Sequence, residues 1–134
     1  MLLCMSVMSR KEKQIVIIDE HGFSRICSGI LTNGGYKTSI VTQDEDLLEK
    51  LKKDSVGLVV TSYPYGASHF DTLKKRNVPI IVLTDDISDR LLLSLSSLQN
   101  SCCMIKPLNY DRFKSLVKQV FEGSISLEGG YRIV

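Results

Sequence analysis

The amino-acid sequence predicts a doubly wound α/β fold, in which helices cover both faces of one parallel sheet. The first observation is that short apolar runs, rich in Val and Ile, alternate five times with stretches of helical spacing. The second is that most of these runs are continuously apolar, which is typical of strands buried on both faces. The third is that a chain of 134 residues with 43% hydrophobic content can bury one core and is short for two domains.

The first two strand and helix units are predicted in the N-terminal half of the chain. The sequence Ile-Val-Ile-Ile at 15–18 predicts a strand, and the next apolar residues recur at helical spacing until Gly34-Gly35 ends the helix. Residues 36–42 alternate as in a second strand. Asp44 is a candidate cap for the second helix, which has Leu on one face and Glu and Lys on the other.

Three further strands and three further helices complete the predicted sheet. Only fifteen residues lie between Ser62 and Val78, so the third helix is expected to have one or two turns. We expect one domain at 13–122, with an extension at 1–12 before it and a tail at 123–134 after it. The remaining elements are predicted at 56–60, 69–77, 78–84, 87–99 and 102–105, with a last helix from a cap at Asn109 to Gly123.

Composition argues against several classes of function. Seventeen basic and fifteen acidic residues give a net charge of +2, which is too small for electrostatic binding to nucleic acid. No apolar run approaches the roughly 20 residues of a membrane span. The four cysteines show no C-x-x-C spacing, and Cys102 and Cys103 are expected to be small core residues. We therefore expect reduced thiols and a cytoplasmic protein that binds neither nucleic acid nor membrane.

Polar residues follow the predicted strands at the points where the strands end. The carboxyl ends of parallel strands share one rim of the sheet, which is where open α/β folds bind ligands. Acids, hydroxyls and a lysine are therefore expected to converge. The residues are Asp19-Glu20, Thr61-Ser62, Thr84-Asp85-Asp86 and Lys106-Pro107.

The segments that carry these residues resemble the receiver domain of two-component response regulators. The sequences IVIIDE, GLVVTS, IIVLTD and MIKP appear in the order and spacing of that family's four signature segments, over residues 13–122. The resemblance implies a flavodoxin-like three-layer sandwich with five helices and a five-stranded sheet in the order 2-1-3-4-5. In that family an acidic pair holds Mg²⁺, and an aspartate ending strand three accepts a phosphoryl group from a sensor kinase histidine.

By this resemblance, Asp19 and Glu20 match the family's acidic pair, and Thr84 matches the hydroxyl that ends strand four. Lys106 and Pro107 match the lysine and the proline, usually in a cis bond, after strand five. These residues form the expected receiver pocket, with Asp19 and Glu20 as weak, vestigial Mg²⁺ ligands and no other cofactor.

Three positions depart from the family pattern. Ser62 occupies the position of the phosphoacceptor aspartate, so the nucleophilic carboxylate is missing and we expect no catalytic residue. Asp85 replaces a small residue and adds negative charge where the phosphoryl group would pass. Cys103 occupies the position of the switch aromatic. Without the acceptor carboxylate, Lys106 is expected to pair with Asp85 or Asp19.

These features predict a non-enzymatic pseudo-receiver, a phosphorylation-independent interaction module of a two-component or phosphorelay pathway. Its expected partners are a sensor kinase, an output domain or another receiver. The expected surface, also available for a homodimer, is the fourth helix, fifth strand and fifth helix. Two alternatives remain open: a receiver phosphorylated on a non-standard residue, and a flavodoxin-like enzyme that binds a nucleotide or flavin. The nucleotide- or flavin-binding alternative lacks the Gly-rich phosphate loop that it would need after strand one. Asp19-Glu20 instead puts negative charge where the phosphate would bind.

Overall fold

A computed structural model describes residues 13–53, 55–106, 109–125, 127 and 130–134 of the chain. The predicted extension at 1–12 and Pro107 lie outside the described residues. In the described part the strands are β1 (Gln14–Ile18), β2 (Lys37–Ile40), β3 (Val56–Tyr63), β4 (Ile80–Thr84), β5 (Asn100–Ile105) and β6 (Gly130–Ile133). The helices are α1 (His21–Asn33), α2 (Asp44–Lys53), α3 (Phe70–Leu73), α4 (Asp89–Ser96) and α5 (Tyr110–Phe121).

All neighbouring strands are parallel, and their order is β2-β1-β3-β4-β5-β6. The predicted order of the first five strands is confirmed, and the prediction of a five-stranded sheet is wrong. The sixth strand lies in the segment predicted as a tail and pairs with β5 from Asn100↔Gly130 to Cys103↔Ile133. A four-residue strand carries too few alternating side chains for a pattern, and the open edge of β5, which the sequence does not show, supplies its pairing.

The core has two layers, one on each face of the sheet. One layer joins apolar residues of β1, β3, β4 and β5 to α1 and α5, and the other joins them to α2, α3 and α4. Cys102 lies in the first layer and Cys103 in the second, both fully buried with free thiols. On β1, β3, β4 and β5, side chains on both faces therefore meet helices, which explains why these strand sequences are mostly apolar.

Helix ends follow the sequence signals in most places. Gly35, after α1, has φ +95°, and Gly123, after α5, has φ +76°, a region that favours glycine. The Asn109 side chain caps α5 by accepting a hydrogen bond from the Arg112 N–H at 3.1 Å. The prediction of Asp44 as a cap is wrong, because α2 begins at Asp44 and its carboxylate bonds to side chains of another element.

The third helix is short, as its sequence length predicts. After β3, the chain passes a cis Tyr63–Pro64 bond and a turn of 3₁₀ helix at Tyr65–His69, and α3 adds only four residues. Gly66 lies so close to β3 that a Cβ there would come within 2.0 Å of the Thr61 hydroxyl oxygen. Glycine is thus the residue that lets this turn pack against the strand.

Candidate functional site

Parallel pairing brings three of the predicted residues together at the carboxyl rim of the sheet. Ile18 pairs with Thr61 across β1 and β3, so Asp19 and Ser62, the next residues, lie side by side. Lys106 follows β5 directly and reaches across the rim towards the same place. Asp19 and Ser62 are almost completely buried.

The Asp19 carboxylate is at the centre of the site, and this chain's own donors surround it. Its Oδ1 accepts hydrogen bonds from the Ser62 hydroxyl and from the Glu20 N–H, each at 2.7 Å. Its Oδ2 faces the Lys106 ammonium at 3.5 Å, and the whole residue is 1% exposed. A buried carboxylate needs such partners, and here the chain itself supplies them.

Lys106 has two contacts that fix its ammonium group. Besides the ion pair with Asp19, its Nζ lies 4.1 Å from the centroid of the Phe23 ring, a cation–π distance. Its side chain is 19% exposed, so the ammonium is largely withdrawn from water. Of the two partners expected for Lys106, the structure shows Asp19, whereas Asp85 is exposed.

The other predicted pocket residues do not join this cluster. The Thr84 hydroxyl donates to the Asp86 carbonyl at 2.8 Å, and the Thr84 carbonyl accepts from the Lys106 N–H at 2.7 Å. Glu20 and Asp85 point their side chains into solvent at the rim. The described residues of the predicted pocket therefore form three groups. Asp19, Ser62 and Lys106 contact one another, Thr84 bonds to backbone groups, and Glu20 and Asp85 are exposed.

The donor set fits Mg²⁺ poorly. Mg²⁺ demands near-octahedral oxygen coordination, usually with one or two carboxylates and several waters. Asp19 could offer Oδ1 only by losing the hydrogen bonds from Ser62 and Glu20, and Glu20 is exposed. Among the residues described, no group of three His, Cys, Asp or Glu side chains is arranged to hold a metal.

Three residues of α1 support the site and were not identified from the sequence. Phe23 lies under the Lys106 ammonium, and the Ser24 hydroxyl donates to the Asp19 carbonyl at 2.8 Å. Burial, and then the nearby Asp19 carboxylate, raise the pKa of the Cys27 thiol to about 12, so this thiol is unreactive. The signal that could have indicated Ser24 is its position, as a polar residue among the apolar residues of α1.

The switch position holds no side chain that could move between pocket and surface. Cys103 is fully buried in the layer under α2, α3 and α4, and burial raises the pKa of its thiol to about 11. Cys102, on the other face, also has its pKa raised to about 11 by burial. Both cysteines are inert core residues.

A second polar cluster, formed by Asp44, His69 and Thr72, was also missed. The Asp44 carboxylate accepts hydrogen bonds from the Thr72 hydroxyl at 2.9 Å and lies 3.1 Å from Nδ1 of the buried His69. The bonds to His69 and Thr72 hold the pKa of Asp44 below its ordinary value. This cluster ties the start of α2 to the short α3 segment. Asp44 is 25 positions from His69 and 28 from Thr72, so no local spacing indicates the cluster.

Comparison with solved structures identifies the fold. The sequence itself matches no family model and no curated protein. A CheY-like response regulator receiver domain protein from Methanospirillum hungatei JF-1 aligns with TM-score 0.72 and 19% identity over 84% of this chain and 96% of that one. A two-component response regulator from Clostridium difficile aligns with TM-score 0.71 and 21% identity over 83% and 97%.

None of the helices in the described part of the chain is long and apolar enough to span a membrane.

Chemotaxis response regulator CheY4 of Vibrio cholerae aligns with TM-score 0.68 and 15% identity, over 82% of this chain and 99% of that one. Sequence identities this low establish the fold alone. The chain therefore has the CheY-like fold of response regulator receiver domains.

Proposed function

We propose that this chain is a pseudo-receiver, a binding module of a two-component or phosphorelay pathway that works without phosphorylation. The observation that carries the proposal is the 2.7 Å hydrogen bond from the Ser62 hydroxyl to the buried Asp19 carboxylate. It joins the residue at the acceptor position to a residue of the expected metal pair. Both groups are thereby used for structure, and neither is free for phosphoryl transfer.

The chemistry of the pocket supports this proposal. Phosphoryl transfer from a phosphohistidine needs an ionised or activated nucleophile, and an unactivated serine hydroxyl is neither. The Asp19 carboxylate that accepts the Ser62 hydroxyl also accepts the Glu20 N–H and pairs with Lys106, so its negative charge is already shared among three partners. The exposed Asp85 adds negative charge at the rim and repels an incoming phosphate.

The proposal includes no enzymatic activity, only weak Mg²⁺ binding and a place in the cytoplasm. Its partners are signalling proteins such as a sensor kinase, an output domain or another receiver. The surface formed by α4, β5 and α5 is the proposed contact, including contact between two copies. Because β6 lies along the outer edge of β5, that surface also contains β6.

Intact-mass spectrometry after incubation with acetyl phosphate and Mg²⁺ tests the proposal. The expected result is no phosphoryl adduct on the unmodified chain. The matched variant carries Ser62→Asp with Asp85→Ala, which restores the acceptor and removes the charge at the entry route. We expect this variant to recover Mg²⁺ binding before it recovers phosphorylation. An adduct on the unmodified chain, mapped to Ser62, Asp19, Glu20 or Asp85, would show that the pocket is a rebuilt catalytic site.

A further inference from the structure

The outer edge of β6 has backbone groups that face away from the sheet. The Gly130 N–H donates to Gln99 at 2.7 Å and the Val134 N–H to Cys103 at 2.9 Å, so alternate residues face β5. The N–H and C=O groups of Tyr131 and Ile133 therefore point outwards. Within the described residues, no strand pairs with β6 on that side.

The side chains at this edge are mostly apolar. Tyr131 is 37% exposed, Ile133 is 47% exposed and Val134 is 43% exposed, and Arg132 is the one charged residue among them. Natural proteins usually protect an open edge with several charges, a proline or a bulge, because an open edge pairs readily with other strands. An apolar edge with a single charge is suited to pairing with another strand.

The two faces of the edge differ in chemistry. Tyr131 and Ile133 pair in register with Ser101 and Cys103 and lie on the α4 side, whereas Arg132 lies on the α5 side. On that side a cavity of about 200 Å³ opens next to Val134. Its lining is formed by Met104, Arg112, Ser115, Leu116, Gln119 and Val134.

Positive charge is unbalanced on the α5 side. Arg132 and Arg112 are both exposed, and in the part of the chain that the structure describes neither guanidinium forms an ion pair. A guanidinium is well suited to a bidentate bond with a carboxylate. An acidic side chain opposite Arg132 would therefore find a partner there.

The same charge argues against a second copy of this chain as the occupant. Two copies of β6 can pair antiparallel in several registers, but only Tyr131 opposite Ile133 uses both outward-facing residues of each copy. That register places Arg132 directly opposite Arg132 of the second copy. Like charges opposite each other in a strand pair are destabilising, so the edge favours a different chain.

We propose that the outer edge of β6 binds an extended segment of a partner protein by strand addition. The segment carries an acidic side chain opposite Arg132 and an apolar side chain two residues away, over the cavity beside Val134. Main-chain hydrogen bonds to Tyr131 and Ile133 provide affinity, and the two side chains provide selectivity. This inference goes beyond the proposed function, because it holds whether or not the rim pocket accepts a phosphoryl group.

The test uses a fluorescein-labelled peptide with the sequence Thr-Val-Thr-Glu-Thr-Val-Thr and blocked ends. Its sequence is symmetric, so Val, Glu and Val share one face whichever way the strand runs. Fluorescence polarisation with the full chain should show saturable binding. Replacing Glu by Lys in the peptide should weaken binding about tenfold, because an attractive charge pair becomes a repulsive one.

A charge swap in the protein separates recognition from misfolding. Arg132→Glu should lower the affinity for the Glu peptide and raise the affinity for the Lys peptide by about the same factor. An unfolded variant could not gain affinity for either peptide. Arg25→Glu, on the exposed side of α1, is the matched control and should leave both affinities unchanged. Bound peptide should also slow hydrogen exchange at the Tyr131 and Ile133 amides.

Backbone pairing is tested by methylating peptide nitrogens. In an antiparallel pair, methylation of the two Thr beside Glu should abolish binding and methylation of Glu should not, and in a parallel pair the pattern reverses. Absence of saturable binding, equal binding of the Glu and Lys peptides, or tolerance of every methylated peptide would overturn the proposal. Self-association of the chain that Arg132→Glu alters and Arg25→Glu does not would make the second copy the occupant and would also overturn it.

Discussion

The pocket at the carboxyl rim of the sheet (Asp19, Ser62 and Lys106) and the β6 edge use polar groups in opposite ways. In the pocket, the Asp19 carboxylate, the Ser62 hydroxyl and the Lys106 ammonium are buried and bonded to one another. At the edge, the backbone groups of Tyr131 and Ile133 and the guanidinium of Arg132 face solvent. From this contrast we expect the pocket to contribute to the stability of the fold and the β6 edge to be available for binding.

Charge supports the proposal that the pocket needs no cation. With a carboxylate at position 62, two buried acids would lie beside one lysine, and the excess negative charge would call for a cation. With Ser62, one acid meets one lysine and a neutral hydroxyl fills the remaining position. The cluster is then electrically balanced without Mg²⁺.

The largest expected effect is the loss of stability in Asp19→Ala. This change leaves Lys106 largely buried without its carboxylate and removes the acceptor of the Ser62 hydroxyl. We expect the free energy of unfolding to fall by about 3 kcal/mol. Urea unfolding measures it, with Arg132→Ala as the comparison at the edge, expected to change stability by less than about 0.5 kcal/mol. Equal losses of unfolding free energy in the two variants would show that the pocket contributes no more to stability than the edge.

A negative charge at position 62 should lower the free energy of unfolding by less than the removal of Asp19 does. Ser62→Asp places a second buried carboxylate beside Asp19, whereas Ser62→Asn is neutral and of similar size. We expect Ser62→Asp to be less stable than Ser62→Asn by about 2 kcal/mol in the absence of metal, and Mg²⁺ to narrow the gap. Thermal or urea unfolding with and without Mg²⁺ provides the measurement. A gap that Mg²⁺ does not change would contradict the charge argument.

Tight packing near the pocket should make Gly66→Ala destabilising by about 1.5 kcal/mol. The new Cβ would lie 2.0 Å from the Thr61 hydroxyl oxygen, which is buried and has no hydrogen-bond partner among the described residues. Thr61→Ala removes that atom, so the double variant should lose less stability than the sum of the two single changes. Strict additivity in urea unfolding would show that the two residues do not interact.

The smallest expected effect is a dependence of stability on pH at the cluster of Asp44, His69 and Thr72. Its hydrogen bonds hold the pKa of Asp44 below the ordinary 3.8. The contribution is therefore present above about pH 4 and is lost as pH falls through the lower folded-state pKa. Because Asp44 is half exposed, the contribution should stay below about 0.5 kcal/mol. Asp44→Asn should flatten the acid limb of the stability curve, and Asp46→Asn, in the same turn, should not.

The sequence predicted the parts of the molecule that rest on strong local patterns. Five strand and helix units follow from apolar periodicity, and Asp19, Ser62 and Lys106 meet because parallel strands end at one rim. The sixth strand could not be predicted, since Gly130–Ile133 has too few residues for a pattern and depends on the edge of β5. The long-range contacts of Phe23 and Asp44 depend on how helices pack on the sheet, which no local spacing encodes.

A Mg²⁺ titration followed by amide NMR shows whether Ser62 and Lys106 keep the Asp19 carboxylate from binding a metal ion. The amides of Glu20, Ser62 and Lys106 report on the three sides of that carboxylate. We expect no saturating shift at these amides up to about 10 mM Mg²⁺, because binding would have to displace Ser62 or Lys106 from the Asp19 carboxylate. Saturable shifts at these three amides with a Kd below about 1 mM would show a working metal site and overturn this interpretation.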